Sequence, residues 1–76
     1  MNTEGKKAFL ESYGWTVGPR DPRINTDYSG GFMCVEPFSE DQLPTRNGSN
    51  GPWALVGDDL GEMIDVSYSF LTEMMA

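Results

Sequence analysis

The side chains able to do chemistry in this 76-residue chain are almost all carboxylates, and Asp58, Asp59, Glu62, Asp65 and Glu73 crowd toward its end. Adjacent Asp58 and Asp59 would suit an acid and base pair only if both reached one point, whereas neighbours on a helix point apart. There is no histidine, the side chain that most often moves protons near neutral pH. Cys34 is the only cysteine and lies in the apolar run Phe32-Met33-Cys34-Val35, where burial raises a thiol pKa and leaves the sulfur inert. The expectation is a protein that is not an enzyme.

Metal and phosphate chemistry fare no better. Asp58, Asp59 and Glu62 could offer oxygens to a cation, as could Asp21, Asn25 and Asp27, but neither set has the glycine and terminal glutamate of a calcium-binding loop. One cysteine without histidine cannot supply a structural zinc site. The glycines between positions 48 and 57 lead into Asp58 and Asp59 rather than a lysine, so a phosphate would be repelled. No cofactor and no metal are expected.

What the carboxylates do have is spacing. At about 100° per residue with Leu60 at zero, Asp58, Glu62, Asp65, Ser69 and Glu73 gather within roughly 80° of one side of a helix. Met63, Ile64, Ser67, Tyr68, Leu71, Met74 and Met75 fall with Leu60 in an opposite arc of roughly 140°. Asp58 is placed as N-cap, and Asp59 and Glu62 suit the positive end of the helix dipole. The reading is a helix over 59–74. A strand is the alternative, because Ile64, Val66, Tyr68 and Phe70 also alternate with polar residues. Val66 and Phe70 lie between the two faces of the wheel, where an apolar side chain can anchor a partner, although a residue placed like Phe70 more often just widens the core face.

The elements that must position this helix are short. Thr3 is a candidate N-cap for a helix through Tyr13, stopped at Gly14 and burying Phe9, Leu10 and Tyr13 while Lys6, Lys7 and Glu11 face water. Trp15-Thr16-Val17 alternates as a brief strand ended by Gly18-Pro19. Residues 18–31, rich in proline, glycine and aspartate, form a loop that leaves Arg20 and Arg23 accessible. Phe32–Val35 reads as a central strand. Ser39-Glu40-Asp41-Gln42 has capping-box spacing for a single helical turn before Pro44. Asn47-Gly48 is a strong hairpin signal, returning the chain to a strand at Trp53-Ala54-Leu55-Val56 antiparallel to residues 32–35. The fold expected is α+β: a short N-terminal helix, a small two- or three-stranded antiparallel sheet, and a longer C-terminal helix packed on one face. Its core is Phe9, Leu10, Trp15, Phe32, Cys34, Leu55, Leu60, Ile64, Tyr68 and Leu71, with Tyr13 and Trp53 at the edge.

Composition sets the limits. A chain this long fits one small domain over residues 1–76, whose surface rather than an enclosed cavity must carry any site. The net charge is −7, and its distribution is uneven. Residues 1–30 hold four acids and four bases; residues 31–76 hold eight acids and only Arg46. An anionic surface repels the phosphate backbone, so nucleic acid is not an expected direct ligand. Met1–Lys7 lead into no long apolar stretch, so neither a secretory signal nor a membrane span is expected, and a reducing, cytoplasmic setting follows.

Pro52-Trp53-Ala54-Leu55-Val56 resembles a strand segment of the phage uracil-DNA glycosylase inhibitor family, small acidic proteins that imitate DNA. That family's inhibitory Glu-Ser-Ile segment has no counterpart here. In size and acidity the chain is similar to short accessory proteins of bacteriophages and mobile elements, including anti-CRISPR proteins. The resemblance implies a decoy, and the carboxylate ladder supplies a physical route to one. Along a helix, positions three and four apart rise about 4.5–6 Å, a charge spacing near that of a nucleic-acid backbone. Such a surface can enter the basic groove of a protein that grips nucleic acid. The functional expectation is therefore a non-enzymatic, inhibitor-type binding module in which Asp58, Glu62, Asp65 and Glu73 meet a basic partner and Val66 and Phe70 anchor it. The alternative is a small accessory protein that dimerises through Phe70, Met74 and Met75.

Overall fold

Asn2 rather than Thr3 starts the first helix. In the computed structural model, which describes residues 1–22, 30–42 and 52–76, the Asn2 side chain accepts a hydrogen bond from the Gly5 N–H at 2.8 Å. Asparagine caps at least as well as threonine. Helix α1 spans Thr3–Ser12. It stops at Gly14, whose φ of 87° lies in the left-handed region that a glycine enters without penalty. Leu10 is completely buried, but Tyr13 is 47% exposed and only leans on Phe9, with ring centroids 5.0 Å apart. The helix ends before Tyr13 can turn inward.

Three short strands follow: β1 Thr16–Pro19, β2 Phe32–Val35 and β3 Ala54–Gly57, in the order β1-β2-β3 and antiparallel throughout. The register places Val17 beside Cys34 and Cys34 beside Leu55, so these three side chains share one face. Backbone bonds extend both ladders past the strand ends, from Arg20 N–H to the Gly31 carbonyl at 2.9 Å and from Glu36 N–H to the Trp53 carbonyl at 3.1 Å. Trp53 N–H is taken by the Glu36 carboxylate at 2.7 Å. A single 3-10 turn, Glu40–Gln42, sits where the capping-box spacing pointed. Ser39 Oγ donates to Asp41 Oδ1 there and holds that carboxyl below its ordinary range. Arg23, the Pro44 stop, the Asn47-Gly48 turn and residues 23–29 of the 18–31 loop lie outside the described residues.

Helix α2, Leu60–Met75, packs across α1, β2 and β3. The chain is thus α+β, with both helices against the sheet. The core joins Leu10, Trp15, Cys34, Met63, Ile64 and Leu71, with Phe9, Val17, Phe32, Trp53, Leu55, Leu60 and Phe70 packed around it. Met74 and Met75, placed in the apolar arc by periodicity, are 61% and 52% exposed because the helix runs on past the elements it covers. The opposite sheet face is also covered in part: Met33 and Val35 are buried, with half-buried Phe38, Ala54 and Val56 packed against them. A continuous apolar run such as Phe32–Val35 marks a strand covered on both sides, and residues 33 and 35 belong to the core on that ground.

One contact ties the loop before β2 to the end of β3. A side chain at Gly30 would come within 2.5 Å of the Gly57 backbone, so only glycine permits that approach. The adjacent Gly31 N–H donates to Asp58 Oδ1 at 3.0 Å. Asp58 is therefore a strut between β3 and the β2 entry. The helix cap is Asp59, whose carboxylate accepts the Glu62 N–H at 3.1 Å.

Candidate acidic interface

Asp58, Glu62, Asp65, Val66, Ser69 and Glu73 are all exposed, whereas Met63, Ile64, Ser67 and Leu71 on the far side of α2 are buried. The helical partition of carboxylates from apolar groups is thus realised. About 24 Å of helix separates its two ends, with the acids distributed along the outer side.

Local folding fixes some of these groups and leaves others free. Asp58 and Asp59 each have one oxygen held by a backbone N–H, from Gly31 and Glu62 respectively, and both residues are exposed. Glu62 sits in the first turn, where the helix dipole favours a negative charge. Glu73 sits in the last turn, where the same dipole opposes it at a cost of about 0.3–1 kcal/mol. No basic residue occupies that last turn. Local stability therefore does not account for an acid at position 73.

Asp65 differs from the rest. Lys6 Nζ donates to Asp65 Oδ1 at 2.9 Å and also lies 5.5 Å from the centre of the Tyr68 ring. Lys6 does not simply face water: α1 delivers it to the outer side of α2. An absence of bases after Arg46 reads as an unpaired ladder, but the partner of Asp65 comes from 59 residues away. Among the described residues no cation pairs with Asp58, Glu62 or Glu73.

The two apolar members of the expected interface part company. Val66 is 46% exposed. Phe70 is half-buried, stacked on Trp53 with ring centroids 4.7 Å apart and 11° between planes, and meeting Trp15 edge-on at 6.2 Å. The three rings close one end of the core, because Trp15 and Trp53 are themselves 5.7 Å apart. Phe70 thereby belongs to the packing that holds α2 on the sheet.

A groove opens between β3 and the first two turns of α2. Its volume is about 290 Å³; Leu55, Met63 and Val66 form its floor and Asp58, Asp59 and Glu62 its rim. Periodicity alone assigns Leu55 to the core and Asp59 to a helix turn, and gives no sign that strand and helix diverge here. The one available signal is Val66, an apolar residue outside the core arc beside Glu62.

Cys34 and Ser67 are both fully buried. Burial pushes the Cys34 thiol pKa up, and the neighbouring Ser67 hydroxyl pulls weakly the other way. Ser67 Oγ has no partner that meets hydrogen-bond geometry. Among the described residues no group of three or more histidine, cysteine, aspartate or glutamate side chains could hold a metal ion, and no helix is long and apolar enough to cross a membrane. Comparison with protein-family models, with curated proteins and with solved structures finds no match to this chain.

Proposed function

We propose that this chain is a non-enzymatic binding module whose acidic α2 face engages a basic-surfaced protein that handles nucleic acid, and inhibits it by occupying the surface that would grip the phosphate backbone. The observation that carries this reading is the exposed line of Asp58, Glu62, Asp65 and Glu73, in which Lys6 neutralises only Asp65. Unpaired carboxylates in a row project a field that draws a complementary partner and speeds its encounter. The acid at position 73 supports the same reading, since it is placed against the helix dipole. The class that fits by size and charge is the small acidic inhibitor of phages and mobile elements, acting in the cytoplasm.

Self-association is the weaker reading. It would draw on Phe70, Met74 and Met75, and Phe70 spends its face on Trp53.

The test uses Glu62→Lys/Glu73→Lys, because neither side chain holds a hydrogen bond or ion pair among the described residues. The wild-type chain, immobilised in a bacterial lysate at low salt, should retain a nucleic-acid-binding protein and release it as salt rises. The double variant, shown by circular dichroism to be folded, should retain none. Equal capture by variant and wild type would overturn the proposal.

A further inference from the structure

The groove lies beside a strand edge on which no described residue pairs, and the two features fit one occupant. The bond from Glu36 N–H to the Trp53 carbonyl fixes the phase of the β2–β3 ladder. Antiparallel pairing alternates, so Cys34 bonds with Leu55 and Phe32 with Gly57. Ala54 and Val56 therefore turn their N–H and C=O groups away from the sheet. Among the described residues β3 is the last strand of the sheet, with no strand beyond it.

We propose that β3 receives an extended, basic segment of a protein partner as a fourth strand, with one lysine or arginine side chain laid in the groove. Its methylene stem would lie on Leu55, Met63 and Val66, and its cation among Asp58, Asp59 and Glu62. Charge complementarity selects this occupant. Three carboxylates with no cation beside them among the described residues reject a polyanion, and an entirely apolar helix would strip water from them without compensation. A bare inorganic cation would leave the apolar floor wet. An extended chain presents every second side chain to one face, so backbone bonds to Ala54 and Val56 and a side chain in the groove are made together. This rests on the reading of a basic protein partner and names the segment by which it is held.

The test titrates the full, nitrogen-15-labelled chain with a short peptide alternating valine and lysine, capped at both ends. Amide signals of Ala54, Val56, Glu62, Met63 and Val66 should shift, and exchange of the Ala54 and Val56 amide protons should slow. N-methylation of alternate peptide bonds keeps the peptide's charge but removes its strand pairing, and should weaken binding by at least about tenfold. Val66→Arg, which fills the groove from an exposed position, should do the same. Glu11→Gln raises the net charge by the same amount on α1 and should change affinity by less than about threefold. No binding, no loss on N-methylation, or equal weakening by Val66→Arg and Glu11→Gln would each overturn the groove. If the lysate partner is still lost with Glu62→Lys/Glu73→Lys while this peptide fails, the acidic-face reading stands and only the strand-edge inference falls.

Discussion

At the scale of single residues the buried Cys34–Ser67 pair is the most informative site. Neither group has a chemical role in the account, so both should behave as packing. Ser67 carries a buried hydroxyl with no partner, in a helix where alanine is the better former. Ser67→Ala should raise stability by about 1 kcal/mol in urea unfolding, and a lower midpoint would contradict this. The Cys34 thiol pKa is raised in the folded state, so the native chain keeps a proton that the unfolded chain releases above about pH 9. Its contribution is complete below that pH and is lost as pH rises toward the folded value. The wild-type chain should lose up to ~1.4 kcal/mol per pH unit across that window relative to Cys34→Ala, compared so that lysine and tyrosine titrations cancel.

At the scale of elements, the division of α2 into two faces decides both packing and site. Phe70 and Val66, four apart and both beside the core arc, separate only in three dimensions, because Trp53, just before β3, stacks on Phe70. Phe70→Ala should cost about 3 kcal/mol, as a core ring does, while Val66→Ser should stay within about 0.5 kcal/mol; thermal unfolding of both variants checks this. The helices, the antiparallel pairing of β3 with β2 and the acidic line were legible from periodicity and from proline and glycine stops, whereas the place of β1 in the sheet was not. Caps were legible only to within a residue: Asn2 and Thr3, or Asp58 and Asp59, are chemically equivalent until the backbone decides which side chain reaches the third N–H. Lys6 opposite Asp65 and the groove under Val66 were not legible, since both arise between elements distant in sequence. Met33 and Val35 fall outside the core expected from the sequence, although the continuous apolar run at residues 32–35 is the pattern of a strand covered on both faces.

For the molecule as a whole, charge acts on folding and on binding with opposite sign. A net charge of −7 on a small domain repels itself, and the Lys6–Asp65 ion pair offsets part of that repulsion. Added salt should therefore raise the melting temperature of the free chain while it weakens the hold on a basic partner. A melting temperature that falls with salt would mean that ion pairs, not repulsion, dominate the fold. The central claim is that this chain and nucleic acid want the same surface of a third molecule. Competition tests it most directly: the captured partner, purified, is bound to the chain and challenged with increasing duplex DNA. The account predicts that the two exclude one another, the apparent Kd for the chain rising in proportion to the DNA present. A stable complex holding partner, DNA and this chain together would contradict it.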